Sequence, residues 1–427
     1  MKKLLLGSAI LSTIIYANPI TNDDLANELE KQKVTAPKTS TSGFMPQISL
    51  NIDASYKNIS FDNEAESEHV EIPALVHGGG EEHEGHSHGT LAGEDGFKVN
   101  YAELAISASV DNYFDLMSIF HITQDDFEIE EAYISTKALP FNLKAKVGKF
   151  KSDFGYLNAK HHHAYNFADM PLIYTALLGD HGLTEEGFQL QYVLPTPFYA
   201  MAGVEILRGA NELSYGYEGF REIEDKEFPS LFIGYLKTSF DLGGGTLLAG
   251  VSMANGKSKI NHLEDEENAH AFDGETKIYG IDLTYKKYFS THHAITLQGE
   301  YLYREMSGNR YVPLDDNAWR AIVPIEKKQG GFYAQLIYQY DKHFRAGLRY
   351  SAINQNDVLV RGIEQDIEDD IKVTSAMIEY NFSEMSRVRL QYNHNASLYD
   401  DEGNPNNKNE LIIQFNYTIG AHGAHKF

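Results

Sequence analysis

The chain of 427 residues has no cysteine, only one tryptophan and, after its first residues, no long apolar run. Without cysteine it can form neither a disulfide framework nor a thiolate metal site. No later stretch approaches the roughly 20 consecutive apolar residues of a membrane-spanning helix. The sequence also lacks the G-x-S-x-G, H-E-x-x-H and P-loop patterns of common enzyme classes. We therefore expect a protein that is not an enzyme and that requires no cofactor.

Positive charge is scarce as well. Lysine and arginine number 36 against 61 aspartates and glutamates, which leaves a formal net charge of -25. A chain this acidic is a poor partner for nucleic acid. Much of the negative charge lies in segments without a regular pattern, near 61–71, 222–227 and 262–270. We interpret these segments as solvated, acidic loops.

The N-terminus has the pattern of a secretory signal peptide, predicted over residues 1–17. Lys2 and Lys3 precede an apolar run, and Ala17 is the candidate cleavage residue. Residues 18–46 are more polar and are interpreted as a periplasmic N-terminal lead. An exported chain without helical spans is either soluble or a membrane β-barrel.

From residue 47 onward, apolar and polar residues alternate with a period of two. Ile48 and Leu50 share one face, whereas Asn51 and Asp53 share the other. Similar segments lie near 97–110, 112–122, 129–138, 143–150, 187–194, 197–207, 230–241, 245–256, 276–288, 293–304, 331–341, 343–352, 372–382, 386–398 and 409–420. They predict about 16 strands, each near the roughly ten residues that a tilted strand needs to cross a bilayer.

The connections between these strands alternate between short and long. The long ones cover 62–96, 151–186, 208–228, 257–275, 305–329 and 353–370. This alternation is typical of the periplasmic turns and extracellular loops of a membrane barrel. The predicted fold class is therefore all-β: residues 47–427 form a transmembrane antiparallel β-barrel with both termini at the periplasmic end.

The same alternation assigns charged side chains to one face. Val388 and Leu390 alternate with Arg387 and Arg389. An arginine facing lipid near the bilayer midplane costs about 2–4 kcal/mol, so these arginines must face the lumen. The predicted pore-lining set comprises Lys144, Lys146, Arg304, Arg345, Arg349, Arg387 and Arg389. A basic wall favours anions, unless its side chains pair with lumen acids such as Glu300 and Glu379.

Two strand segments and the residues after them resemble a known family. The motif lies at Ala132, Tyr133, Val147, Gly148, Lys149, Phe150, Lys151, Phe154 and Gly155. It resembles the phosphate-selective porin (O and P) type of Gram-negative outer-membrane barrel, in which such a strand leads into a long third loop. The resemblance implies a homotrimer in which residues 151–186 fold inward as a constriction loop. Its candidate polar residues are Lys149, Lys151, Asp153, Lys160 and Asp169.

Histidines cluster in two of the predicted loops. The His/Glu-rich loop 62–96 holds His77, His83, His86 and His88, and the constriction loop holds His161, His162, His163 and His181. Imidazole and carboxylate groups together bind zinc and related divalent ions. Neighbouring residues of an extended segment point to alternate sides, so three consecutive histidines cannot all converge on one ion. The alternative is that both sets are solvated loop residues.

The C-terminus has two further features. Phe427 resembles the terminal signal that bacterial barrels present to the barrel-assembly machinery. The tail 420–427, with His422 and His425, resembles that of uncharacterised zinc-linked outer-membrane barrels. These resemblances imply a location in the outer membrane, in contact with its lipid and lipopolysaccharide.

The sequence therefore predicts an outer-membrane porin for passive diffusion of small hydrophilic solutes or ions, with a leaning toward anions. Two alternatives stay open. One is a barrel that binds or takes up zinc or another divalent metal through its histidine-rich loop. The other is a barrel enzyme or an adhesin, for which a closed lumen is expected.

Overall fold

The computed structural model describes residues 46–67, 70–74, 93–124, 126–137, 139–211, 213–263, 269–315, 318–368, 371–400 and 402–420. The predicted signal peptide, nearly all of the N-terminal lead and the C-terminal tail lie outside these residues. Within them the chain forms seventeen β-strands and one α-helix, α1 (Leu172–Leu178). No helix in this part of the chain has the length and apolarity needed to cross a bilayer.

The strands follow one another along the whole described chain. They are β1 (Gln47–Phe61), β2 (Gly96–Ser109), β3 (Phe114–Ile122), β4 (Phe127–Thr136), β5 (Leu143–Lys151), β6 (Thr184–Val193), β7 (Tyr199–Leu207), β8 (Leu231–Leu242), β9 (Gly245–His262), β10 (His270–Tyr288), β11 (Ala294–Asp315), β12 (Ala318–Gln339), β13 (Phe344–Val360), β14 (Ile363–Glu364), β15 (Ile371–Ser383), β16 (Ser386–Ala396) and β17 (Lys408–Gly420). Short 3-10 segments occur at Glu64–Glu66, Pro140–Asn142 and His162–Ala164.

Sixteen of the described strands form a closed ring in which each pairs antiparallel with two neighbours. The ring closes through the ladder between β1 and β17, which runs from Ser49↔Gly420 to Phe61↔Lys408. The two-residue β14 only extends the end of β13. A closed ring leaves no edge strand, which a bilayer requires because unpaired backbone groups cannot reach water there. The predicted antiparallel barrel of about 16 strands is confirmed.

Short and long connections lie at opposite ends of the barrel. At one end, here called the turn end, the strands are joined by residues 110–113, 137–142, 194–198, 243–244, 289–293, 340–343 and 384–385. At the other end, the loop end, the longest connections are 62–95, 152–183 and 208–230. The connection 152–183, between β5 and β6, is called the inward loop below.

The predicted long loops 257–275 and 305–329 are wrong in extent. β9 runs to His262, β10 starts at His270, and only residues 316–317 separate β11 from β12. In these extensions the alternation is reversed: Phe272 and Met306 are buried, whereas Lys257 faces outward opposite Glu275. Beyond the bilayer the outer face meets water, so charged cross-strand pairs stabilise it. A pattern that requires apolar residues on the outer face therefore does not predict these parts of the strands.

Within the bilayer-facing part of the wall, side chains alternate as predicted. In β13, Leu348 and Tyr350 are 60% and 43% exposed, while Arg349 between them is 3% exposed. In β16, Leu390 is 45% exposed and Arg389 is fully buried. The exposed apolar side chains form the lipid-facing surface, and the arginines point into the barrel.

The barrel interior contains an apolar core that periodicity did not predict. Ile173, Tyr174 and Leu177 of α1 have no exposed surface. They belong to one buried cluster with inward side chains of the wall, among them Leu302 and Tyr333. The inward loop is thus held in the lumen by burial of apolar surface, which stabilises by roughly 25 cal/mol per Å².

The lipid-facing assignment predicts the effect of charge on one strand. The variant Leu348→Arg should destabilise the barrel by about 2–4 kcal/mol, because Leu348 lies midway along the bilayer-spanning part of β13. The matched variant Phe344→Arg, at the turn end of the same strand, should cost about 0–1 kcal/mol. Urea unfolding in phospholipid vesicles measures both. Equal costs for the two variants would contradict the assigned depth.

Candidate functional site

Wall carboxylates capture the start of the inward loop. The Lys151 backbone N–H donates to Glu131 Oε1 at 2.7 Å. Two residues later, the Asp153 N–H donates to Glu205 Oε1 at 3.0 Å, and the Ser152 hydroxyl donates to Glu205 Oε2 at 2.6 Å. Hydrogen bonds to ionised acceptors are stronger than neutral ones. Here they replace the strand pairing that the chain gives up when it leaves the wall.

Glu300, on the inner face of β11, is the central anchor of the loop. Its carboxylate accepts the N–H groups of Tyr156 and Leu157 at 2.8 and 2.9 Å. It also accepts the hydroxyls of Tyr174 at 2.8 Å and Tyr333 at 2.6 Å. Four donors from the loop and the wall therefore converge on one side chain.

The motif glycine Gly155 permits this approach. Its φ is 64°, and a Cβ at this position would lie 2.5 Å from both Glu300 Oε2 and the Tyr174 hydroxyl. Both the left-handed backbone and the lack of space favour glycine. The motif residue that suggested a long third loop is thus the one that lets the loop dock.

Arginines of β13 and β16 hold the middle of the loop. Arg389 donates to the Tyr165 carbonyl at 2.9 Å and to Glu379 Oε2 at 2.6 Å. Arg349 donates to the Asp169 carboxylate at 2.7 Å and to its carbonyl at 2.8 Å. The loop therefore spans the lumen and is held at several separate arcs of the wall.

The predicted pore-lining residues divide into three groups. Arg345, Arg387 and Arg389 surround Glu379, at 3.0, 3.8 and 2.6 Å. Arg304 is buried and donates to Gln329 and Ser214, and Arg349 pairs with Asp169. Lys144 and Lys146 lie opposite Gln191 and Gln189 on the inner face of β5. Glu379 and Asp169 offset two of the five arginine charges, and the two β5 lysines form a second, separate basic patch on the inner wall.

The predicted polar residues of the constriction are also engaged. Lys149 pairs with Glu128 at 3.1 Å, and Lys151 with Glu130 at 2.8 Å. Asp153 accepts from Gln189 and Gln191 at 2.9 and 2.6 Å. Lys160 donates to the Tyr156 hydroxyl at 2.7 Å, and Asp169 pairs with Arg349. Asp153 and Asp169 connect the loop to the wall. Lys149 and Lys151 lie on β5, before the loop begins, and pair within the wall, whereas the Lys160 contact lies within the loop.

The three adjacent histidines separate, but at a 3-10 turn (His162–Ala164) and not in the extended segment for which alternation was argued. The rings of His161 and His163 stack at 5.7 Å and turn toward Glu103 and Glu130. His162 points elsewhere, with Nε2 3.0 Å from the Asp180 carbonyl, and the ring of His181 lies 6.3 Å from that of His162. His77, His83, His86 and His88 lie outside the described residues.

His161 and His163 meet a wall cluster that sequence reasoning missed. Glu103 of β2, His121 of β3 and Glu130 of β4 are each at most 6% exposed. One ligand atom from each lies within 4.8 Å of the others. Glu103 and His121 are direct cross-strand partners, and a bulge at Glu130 turns both Glu130 and Glu131 toward the interior. The inward-facing positions of three successive strands could have suggested that Glu103, His121 and Glu130 lie together. No sequence pattern indicates that the loop histidines join them.

The surroundings shift the pKa values of the neighbouring residues His161 and His162 in opposite directions. Burial lowers the pKa of His161, but the carboxylates of Glu130 and Glu103 outweigh burial and hold that pKa well above its ordinary value. Burial and the nearby Lys151 ammonium lower the pKa of His162 to about 3. The carboxylate cluster therefore attracts positive charge on the side that His161 faces.

Comparison with known proteins identifies a relative of this chain. The chain is 45% identical over 393 residues to an uncharacterized protein of Aquifex aeolicus (strain VF5), covering 91% of this chain and 81% of that protein. The chain belongs to the family of that protein. No protein-family model matches the chain.

Solved structures resemble the chain in fold alone. OmpT, an outer membrane protein of Vibrio cholerae, aligns with a TM-score of 0.52 at 12% identity, covering 90% of this chain and 100% of that chain. The outer membrane channel DcaP of Acinetobacter baumannii aligns with a TM-score of 0.51 at 12% identity, covering 89% and 99%. The barrel therefore has the fold of outer-membrane porins. The phosphate-selective type stays a prediction.

The role of Glu300 predicts a local change in backbone protection. In the variant Glu300→Gln one acceptor oxygen becomes an amide N–H₂ group, so at least one of the four donors faces another donor. A hydrogen bond to a charged group contributes about 1.5–3 kcal/mol. Hydrogen exchange of the Tyr156 and Leu157 amides should therefore accelerate about tenfold or more.

A matched control is available on the same strand. Glu305 lies on the outward face of β11 and contacts the Tyr303 hydroxyl at 3.4 Å. The variant Glu305→Gln should leave exchange at both amides unchanged. Wild-type exchange rates in the Glu300→Gln barrel would mean that Glu300 does not anchor the loop.

Proposed function

We propose that the protein is an outer-membrane channel for passive diffusion of small hydrophilic solutes or ions. The observation that carries this proposal is a sealed barrel whose inward loop is held across the lumen by Glu300, Arg349 and Arg389. A barrel of this strand number encloses an aqueous channel, and a loop fixed inside it sets the largest solute that passes. The outer-membrane fold of the compared structures supports the location.

The charge preference of this channel depends on positive charge at two places on the inner wall. Five arginines of the predicted basic wall contact Glu379, Asp169, Gln329 and loop carbonyls, and the two acids offset two of the five charges. Lys144 and Lys146 add positive charge on the inner face of β5. Lys146 Nζ lies 4.7 Å from the ring centroid of Tyr133, which keeps it on the inner wall.

The buried polar groups of the inward loop serve to attach the loop to the wall. Asp153, the buried acid of the loop, accepts hydrogen bonds from Gln189 and Gln191 of the wall. These contacts support a channel rather than the alternatives of a barrel enzyme or an adhesin. Uptake of zinc or another divalent metal through the histidine-rich segment is the second alternative. It is tested by deleting residues 77–89 and measuring growth at limiting zinc, where unchanged growth counts against it.

Planar-bilayer recording of the purified protein tests the channel directly. A steady, ohmic ion current is expected, in groups of three equal steps if the predicted homotrimer forms. A folded barrel that gives no current across a range of salts and voltages would contradict diffusion. That result would favour a closed-lumen enzyme or adhesin.

The two β5 lysines predict the sign of a selectivity change. In a salt gradient, the double variant Lys144→Gln and Lys146→Gln should move the reversal potential toward that of a cation-preferring pore, because it removes positive charge from the inner wall. The control variant Lys342→Gln changes an exposed lysine at the turn end. An equal shift in both variants would mean that the β5 lysines do not set the preference.

A further inference from the structure

The wall–loop cluster brings six metal-ligating side chains together inside the barrel. Glu103, His121 and Glu130 come from three successive wall strands. His161 and His163 come from the inward loop, with Nδ1 atoms 3.1 Å from Glu130 and 3.2 Å from Glu103. The sixth, Glu131, lies 3.1 Å from His161 Nε2. All are buried except His161, whose side chain is 20% exposed.

The distances between the carboxylate oxygens and the ring nitrogens match those between donors of one coordination sphere. Glu130 Oε2 lies 2.9 Å from His121 Nε2 and 3.1 Å from His161 Nδ1. Glu103 Oε2 lies 3.2 Å from His163 Nδ1, 3.4 Å from His121 Nε2 and 3.6 Å from His161 Nδ1. With metal–ligand bonds of about 2.0–2.2 Å, the donors of one zinc ion lie about 3–3.5 Å apart.

The donor atoms converge on two carboxylate oxygens. Glu103 Oε2 lies within 3.6 Å of three ring nitrogens, and Glu130 Oε2 lies within 3.1 Å of two. The carboxylates and imidazoles are thus close enough together to direct their lone pairs at one shared ion.

Charge and the outer contact of His161 agree with a divalent ion. Glu103, Glu130 and Glu131 bring three negative charges, and Lys151, 2.8 Å from Glu130, offsets one of them. A divalent cation, whose binding displaces the protons of the imidazoles that ligate it, balances the other two. Metal-bound histidines commonly donate their second ring N–H to a carboxylate. Glu131 occupies that position against His161 Nε2.

We propose that Glu103, His121, Glu130, His161 and His163 bind one divalent transition-metal ion of the zinc class. Imidazole-rich donor sets with carboxylates suit zinc and its neighbours, whereas calcium and magnesium require oxygen ligands. The ion joins β2, β3 and β4 to the inward loop. It therefore fixes the loop against the arc of wall that Glu300 and the arginines do not reach. This site does not depend on which solutes pass the channel.

Metal counting on the full-length barrel tests the proposal. The protein is stripped with chelator, dialysed against zinc and analysed by mass spectrometry for retained metal. The wild-type chain and a chain lacking residues 77–89 should both retain about one buried zinc ion. The variants His121→Gln and Glu103→Gln should lose it, and Glu131→Gln should weaken its affinity about 10- to 100-fold.

The matched control is His162→Gln, because Nε2 of this neighbour in the same loop contacts the Asp180 carbonyl, although its ring lies 6.2 Å from that of His121. It should retain zinc as the wild-type does. Should a cluster variant fail to fold, cobalt absorption of the otherwise native chain lacking residues 77–89 reads the site without altering it. The proposal is overturned if that chain binds neither zinc nor cobalt. It is also overturned if folded His121→Gln and Glu103→Gln barrels retain zinc as His162→Gln does.

Discussion

Closure of the sheet between β1 and β17 is the constraint on which the rest of the structure depends. The ladder from Ser49↔Gly420 to Phe61↔Lys408 satisfies the last free backbone edge. Once the ring is closed, each residue of a wall strand faces either the surroundings or the lumen. Arg349 and Arg389 can be buried only because the inner face gives them partners, since an unpaired buried charge is strongly unfavourable.

The second determinant is how the lumen accommodates a long irregular segment. Backbone N–H groups of a loop buried away from water must find acceptors. Glu131, Glu205 and Glu300 supply them as the inward loop leaves β5. Arginines of β13 and β16 donate to loop carbonyls. The wall thus provides acceptors from β4, β7 and β11 and donors from β13 and β16, while α1 adds apolar burial.

The contacts between wall and loop change the role assigned to the lumen arginines. Periodicity correctly assigned Arg345, Arg387 and Arg389 to the inner face, and a basic pore followed from that assignment. The structure places all three around Glu379 and against loop atoms. Their main contribution is to hold the inward loop. The alternative of pairing with Glu379, open at the level of sequence, is the arrangement that the barrel adopts.

By itself the sequence determined the barrel, about sixteen wall strands, and the face of residues where the alternation is regular. A period of two leaves a strand only two faces, and a lipid-facing charge is too unfavourable to permit the other choice. The sequence did not determine the bulge in β4 that turns both Glu130 and Glu131 inward. Nor did it determine the strand extensions of β9–β13, where the outer face meets water and the alternation reverses. Only the tertiary structure decided which lumen residues meet. The wall meets the loop in contacts such as Glu103 with His163 and Arg349 with Asp169. These contacts depend on strand register and on the path of the loop, and a local sequence pattern determines neither.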